Sequence, residues 1–166
     1  MPDRTCDHME QIVEDDPVED LPNRNAGQYL RAILLALEGP TDEVRPSSIA
    51  DRLEVTPASV TEMVHRLESD GYVEHEKYGG ISLTREGKNL ARHLQWRQCT
   101  IRRFFATYFE IEISDEACYR ASFELPTAAL GTLRDAVDLD CEDRCDDRIW
   151  NAKTSRSDPT PEGANP

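Results

Sequence analysis

Apolar side chains at Tyr29, Leu30, Ile33, Leu34 and Leu37 recur at the spacing of one buried helical stripe. The pattern predicts a helix over 28–37, stopped by Gly39-Pro40. A short helix over 46–53 would bury Ile49, Ala50 and Leu53. Thr56 then offers a side-chain cap, and Pro57 suits the first helical position, where its missing N–H costs nothing. The helix they open buries Val60, Met63, Val64 and Leu67, and Gly71 ends it as a left-handed cap. Two short strands, 72–76 and 81–83, are joined through Lys77-Tyr78-Gly79-Gly80, a turn with the glycines a hairpin needs. Thr84 caps a long helix striped by Leu90, Leu94, Ile101, Phe104, Phe105 and Tyr108; Ser114 caps another, and Pro126 opens one more.

Helix, short helix, tight turn, helix and two-stranded hairpin is the order of a winged helix-turn-helix, so the predicted class is mainly α. The expected division is an N-terminal leader over 1–24, a winged helix over 25–90, a helical domain over 91–145 and a tail over 146–166. In such a fold the outer face of the third helix is free to enter a DNA major groove. That face carries Pro57, Ala58, Ser59, Thr61, Glu62 and His65. Ser59 and Thr61 suit phosphates or base edges, Ala58 a thymine methyl and Glu62 a cytosine amino group. Ser47 and Ser48 open the preceding helix and are placed for phosphate, as are Lys77 and Tyr78 at the wing tip. Winged helices also dock proteins, so a protein-interaction module is the alternative reading of the same face.

Charge changes this picture. The 166 residues carry 19 Lys and Arg against 33 Asp and Glu, a net charge of −14. An acidic chain is an unusual partner for phosphate. The excess is uneven, however. Residues 45–90 hold six basic and eight acidic residues, a net of −2, and 91–125 balance at five of each. The leader holds eight acids and two arginines with few apolar groups, the composition of a disordered segment. Only three of the 19 basic residues are lysines, which together with the acidity matches the surface of halophile proteins. No apolar run nears the roughly 20 residues that span a bilayer, and no signal peptide is recognisable, so the expected location is the cytoplasm. Five cysteines at irregular spacing do not form a disulfide framework. No nucleophile with its base, phosphate loop or acid pair appears, which argues against an enzyme.

The run Ile49-Ala50-Asp51-Arg52-Leu53, then Val55-Thr56-Pro57-Ala58-Ser59-Val60-Thr61-Glu62-Met63-Val64, resembles the diphtheria-toxin-repressor-like family of metal-dependent regulators. So do Gly71-Tyr72-Val73, Glu76-Lys77-Tyr78-Gly79-Gly80-Ile81-Ser82-Leu83-Thr84-Arg85-Glu86-Gly87, Trp96-Arg97, Phe104-Phe105 and Asp115-Glu116-Ala117-Cys118. The resemblance spans about 28–137. It implies a homodimer binding a palindromic operator in double-stranded DNA, a helical second half for dimerisation and metal binding, and Mn2+ or Fe2+ as effector. It implies no appended barrel domain in this chain.

At the family's ligand positions this sequence differs. The helix motif of Cys or Glu, two residues, then Glu-His falls on Cys118 to Ser122, where Ala121 and Ser122 replace the last two ligands. The first-helix ligand falls on Gln28, the acid one turn later on Arg31, the long-helix histidine on Gln98 and a following acid on Arg102. Divalent ions need thiolate, imidazole or carboxylate at fixed separations, so the resemblance implies an eroded site. Three alternatives follow. Cys118 retains weak metal binding with Cys99, Glu124 or His93. Arg31 and Arg102, paired with carboxylates, replace the ion with guanidinium groups. Cys99, Cys118, Cys141 and Cys145 sense oxidants. Arg92, Arg97, Arg102 and Arg103 are candidate phosphate contacts, Arg120 a candidate for an intersubunit ion pair, and Phe104, Phe105, Tyr108 and Phe109 the expected dimer core.

Overall fold

The computed structural model describes residues 21–37, 42–76 and 79–137. The order of elements is α1 (Arg24–Ala36), α2 (Pro46–Leu53), α3 (Pro57–Ser69), β1 (Val73–His75), β2 (Ile81–Leu83), α4 (Arg85–Phe109), α5 (Asp115–Glu124) and α6 (Thr127–Val137). The fold is mainly helical with an N-terminal winged helix-turn-helix, as the pattern predicts. The leader up to residue 20, the Gly39-Pro40 stop, Lys77, Tyr78, Cys141, Cys145 and the tail lie outside the described residues.

Local chemistry sets where each helix begins. Asn23 accepts from the Ala26 N–H at 2.9 Å, so α1 starts before the first apolar residue of its stripe. Thr56 accepts from the Ser59 N–H at 3.2 Å and Thr84 from the Gly87 N–H at 3.0 Å, satisfying donors that an α-helix leaves orphaned. A cap of this kind contributes about 1 kcal/mol, whereas burying Val60, Met63, Val64 and Leu67 contributes about 1.5–3 kcal/mol each. The cap therefore fixes where α3 starts, and the stripe fixes which way it faces.

The wing pairs Val73 with Leu83, Glu74 with Ser82 and His75 with Ile81, antiparallel. Its first strand is shorter than predicted while the second spans the predicted 81–83, and a third backbone segment joins them: Val44 and Ile81 exchange both N–H to carbonyl bonds at 2.8 Å. Gly80 lies against this bridge, where an added Cβ would press on Glu43 and the Val44 backbone.

Two buried clusters divide the chain. Tyr29, Leu30, Ile33, Ile49, Val60, Leu67, Ile81 and Leu94 belong to the core of the winged helix, and Trp96, Ile101, Cys118 and Leu130 form the second. The division falls within α4, one helix serving both. Among the described residues no helix is long and apolar enough to cross a membrane.

Candidate nucleic-acid interface and the helix junction behind it

On α3, Pro57, Ala58, Ser59, Thr61, Glu62 and His65 are all exposed while the stripe beneath them is buried. Amphipathic spacing alone presents these side chains outward together. The Thr61 hydroxyl lies 3.0 Å from the Pro57 carbonyl and donates to it, leaving its lone pairs outward as acceptors. Ser59 Oγ sits 2.9 Å from Thr56 Oγ1. Glu62 pairs with Arg66 at 3.0 Å across one turn, so its charge is balanced on the same face. Arg66 is a further basic residue of this face, and its i,i+4 spacing from Glu62 is the sequence signal that places it there. Ser47 and Ser48 are exposed at the start of α2, but the Ser48 N–H already bonds the Arg45 carbonyl at 3.0 Å, leaving its hydroxyl for phosphate. His65 and His75 stand edge to face at 6.4 Å, linking α3 to the wing.

The arginines of α4 separate. Arg92 and Arg103 are exposed. Arg97 is 1% exposed and donates to the carbonyls of Ser122 and Leu125 and to Thr127 Oγ1, so it belongs to the interior and not to a phosphate-binding face. Arg102 is ion-paired with Asp115 at the start of α5. His93 is buried beside Trp96, their rings 5.5 Å apart.

Where α1, α4 and α5 meet, a second polar cluster lies inside the protein. Arg31, on α1, is 7% exposed. Its Nε donates to Gln95 Oε1 of α4 at 2.9 Å, and its Cζ lies 4.8 Å from the centre of the Tyr119 ring of α5. Expected to pair with carboxylates, this guanidinium rests instead on an amide and an aromatic face. Burial pulls its pKa down to about 10, and Arg102 adds to that, against the opposing pull of Tyr119 and Cys99. It remains a cation at neutral pH.

Tyr119 is 1% exposed, and its hydroxyl donates to the Arg24 carbonyl at 2.7 Å. Gly27 makes this approach possible, because a Cβ there would strike the phenol oxygen and Leu94. Burial holds the Tyr119 phenol well above its ordinary 10.0, although the cations Arg31 and Arg24 pull the other way. A folded-state pKa raised above the unfolded one favours folding fully below pH 10, and that contribution fades as pH climbs past it. In an ultraviolet titration, Tyr119→Phe should remove the latest-ionising phenol; an unchanged curve would contradict this.

The remaining family ligand positions surround the same junction. Gln28 is half-buried. Gln98 is buried, donates from Nε2 to the Asp115 carbonyl at 3.3 Å, and its Oε1 has no hydrogen-bond partner among the described residues. Cys118 is buried with its thiol 3.9 Å from the Ile113 carbonyl. Ser122 Oγ donates to the Tyr119 carbonyl at 2.6 Å, and Ala121 is half-buried. Among the described residues, no group of three or more His, Cys, Asp or Glu side chains is placed to hold a metal ion.

Residues 23–81 match the family model described as iron dependent repressor, N-terminal DNA binding domain. The HTH-type transcriptional regulator MntR of Geobacillus kaustophilus is 34% identical over 100 residues, covering 60% of this chain and 68% of that protein. A manganese-dependent transcriptional repressor solved in complex with manganese superposes with a TM-score of 0.60 at 19% identity, covering 68% of this chain and 52% of that one. The metal-dependent transcriptional regulator MtsR gives 0.61 at 18% identity, covering 70% and 55%. The likeness spans about two thirds of the curated relative and about half of each solved chain, and at these identities the solved structures show the shared fold. The chain belongs to the iron-dependent-repressor and MntR family of DNA-binding helix-turn-helix transcriptional regulators, which are not enzymes.

Proposed function

We propose that the chain is a cytoplasmic repressor that binds a palindromic operator as a homodimer, reading bases with α3 and holding phosphates with α2 and the wing. The observation carrying this reading is the outer face of α3, on which every predicted contact from Pro57 to Glu62 is exposed above a buried stripe. The dimer reading draws on the end of α4. Tyr108 and Phe109 are 54% and 56% exposed, Ile111 50%, and Phe104 stacks on Tyr108 at 5.1 Å. An apolar cluster of this kind fits a partner surface. Residues 25–90 would be the DNA-binding unit and 91–145 the dimerising one.

Because the Thr61 proton is held by the Pro57 carbonyl, Thr61 is expected to accept a hydrogen bond, selecting adenine or cytosine amino groups. In fluorescence anisotropy with a duplex from upstream of its own gene, in molar KCl, Thr61→Ala or Ser59→Ala should cost about 1–3 kcal/mol at one base position. Lys77→Ala should weaken all sequences alike. A protein that binds its duplex yet ignores all three changes would place the reading surface elsewhere. One that binds no duplex would favour the protein-interaction module.

A divalent ion at the family's position does not suit these residues. Arg31 brings positive charge to the junction, Arg102 and Asp115 neutralise each other in their ion pair, and Cys118 and Ser122 are already engaged. At an effective dielectric of about 20, one guanidinium at ~5 Å disfavours a divalent cation by about 7 kcal/mol. One thiol and two amides do not offset that.

A further inference from the structure

We propose that the Arg31 guanidinium takes the place of an effector ion, holding α1 against α4 and α5 permanently, so that DNA binding requires no metal. The last clause rests on the DNA-binding reading above; the first does not.

The geometry carries the inference. Arg31 leaves the helix that packs beneath the DNA-contacting elements and is received by α4, the helix shared by both cores, through Gln95 Oε1 at 2.9 Å, and by α5 through the Tyr119 ring at 4.8 Å. A planar, delocalised cation can donate in its plane and stack on a ring at once, which a hydrated point charge cannot do. Tyr119 returns the connection through its hydroxyl to the Arg24 carbonyl at 2.7 Å, so α5 grips α1 at two points about two turns apart. Gly27 lies between those points and lets the phenol in. The Arg102–Asp115 ion pair then fastens α4 to the first turn of α5. Each helix bearing a family ligand position is thus joined to the other two by contacts that need no ion. The cross-link is covalently part of the chain and cannot dissociate when metal is scarce.

The test uses the full chain, its upstream duplex, and either MnCl2, anaerobic FeSO4 or EDTA. Wild-type affinity should agree within about twofold across the three conditions, and its melting temperature should not rise with Mn2+, since an ion that binds the native state must stabilise it. Arg31→Met keeps length and loses the cation; it should weaken operator binding by about tenfold, with no recovery in Mn2+. Should Arg31→Met fail to fold, Tyr119→Leu, which retains bulk without the aromatic face, should give the same loss. Arg31→Lys should restore only part of it. Wild-type affinity that rises tenfold or more with Mn2+ or Fe2+ overturns the proposal, as does Arg31→Met binding as tightly as wild type. A chain that binds no duplex defeats the DNA reading alone. The guanidinium claim is then judged by melting temperature: a rise with Mn2+ defeats it, and an unchanged value with a lowered one in Arg31→Met upholds it.

Discussion

Arg97→Met should destabilise the protein by about 3–5 kcal/mol, measured as a lowered urea midpoint at unchanged slope. Arg97 is 1% exposed and sits where α5 ends and α6 begins. The last carbonyls of a helix have no partner within it and carry the negative end of its dipole. Arg97 supplies those partners: Nε and Nη2 reach the Ser122 carbonyl at 3.0 and 2.5 Å, Nη2 also reaches that of Leu125 at 2.6 Å, and Nη1 reaches Thr127 Oγ1 at 2.8 Å. Methionine fills much of the space but satisfies none of these oxygens. Each buried orphan costs about 1–3 kcal/mol, so the loss comes from what is left behind more than from the contact removed. Arg97→Lys should recover less than half, because one ammonium cannot span acceptors that the planar fork bridges together. A change below about 1 kcal/mol for Arg97→Met would mean that water replaces the guanidinium there, and would remove this account of the α5–α6 corner.

The same residue shows which parts of the molecule could be read from the sequence. Thr56, Pro57 and Gly71 delimit α3 in the sequence and in the structure, because caps and left-handed turns act within three or four residues. The exposed side chains on the outer face of α3 follow from the complementary apolar stripe. Arg97 does not follow: a charge on a helix predicts a surface, and its partners, two backbone carbonyls and the Thr127 hydroxyl, lie 25 to 30 residues away and carry no sequence signal. The Val44–Ile81 bridge escaped for a related reason, since one residue pairing with one residue has no periodicity. The apolar stripe begins after the start of α1 because Ala26 and Gly27 are buried by being small, and smallness is not an apolar stripe. Arg31 was legible only in part. Its alignment with an acidic ligand position suggested a substituted cation, but the Tyr119 face and the Gln95 amide that receive it depend on how α5 docks.

Alanine at two glycines should move stability in opposite directions. Gly87, in the first turn of α4, is buried with its Cα turned towards Tyr72, and an added Cβ would collide with the Tyr72 carbonyl oxygen. That oxygen is backbone and cannot rotate aside. It also accepts from the Thr84 N–H at 3.1 Å, while the Thr84 hydroxyl donates to the Gly71 carbonyl at 2.8 Å. Pushing α4 away from Tyr72 therefore disturbs the end of α3, the cap of α4 and the root of the wing together. Overpacking of this kind costs about 1–3 kcal/mol, and the disturbed hydrogen bonds add about 1 kcal/mol. Gly87→Ala should thus lower the melting temperature by about 5–15 °C, and it should weaken operator binding by tilting the wing against α3. Gly131, inside α6, has nothing within 4 Å of an added Cβ, so Gly131→Ala should stabilise by about 0.5–1 kcal/mol through helix propensity alone. Both variants make the same chemical change in a helix, so backbone entropy largely cancels in the comparison, and the contact with Tyr72 is the main term that separates them. If the two melt alike, α4 does not rest on the Tyr72 carbonyl, and the rigid coupling between α3, the wing and the long helix is lost with it.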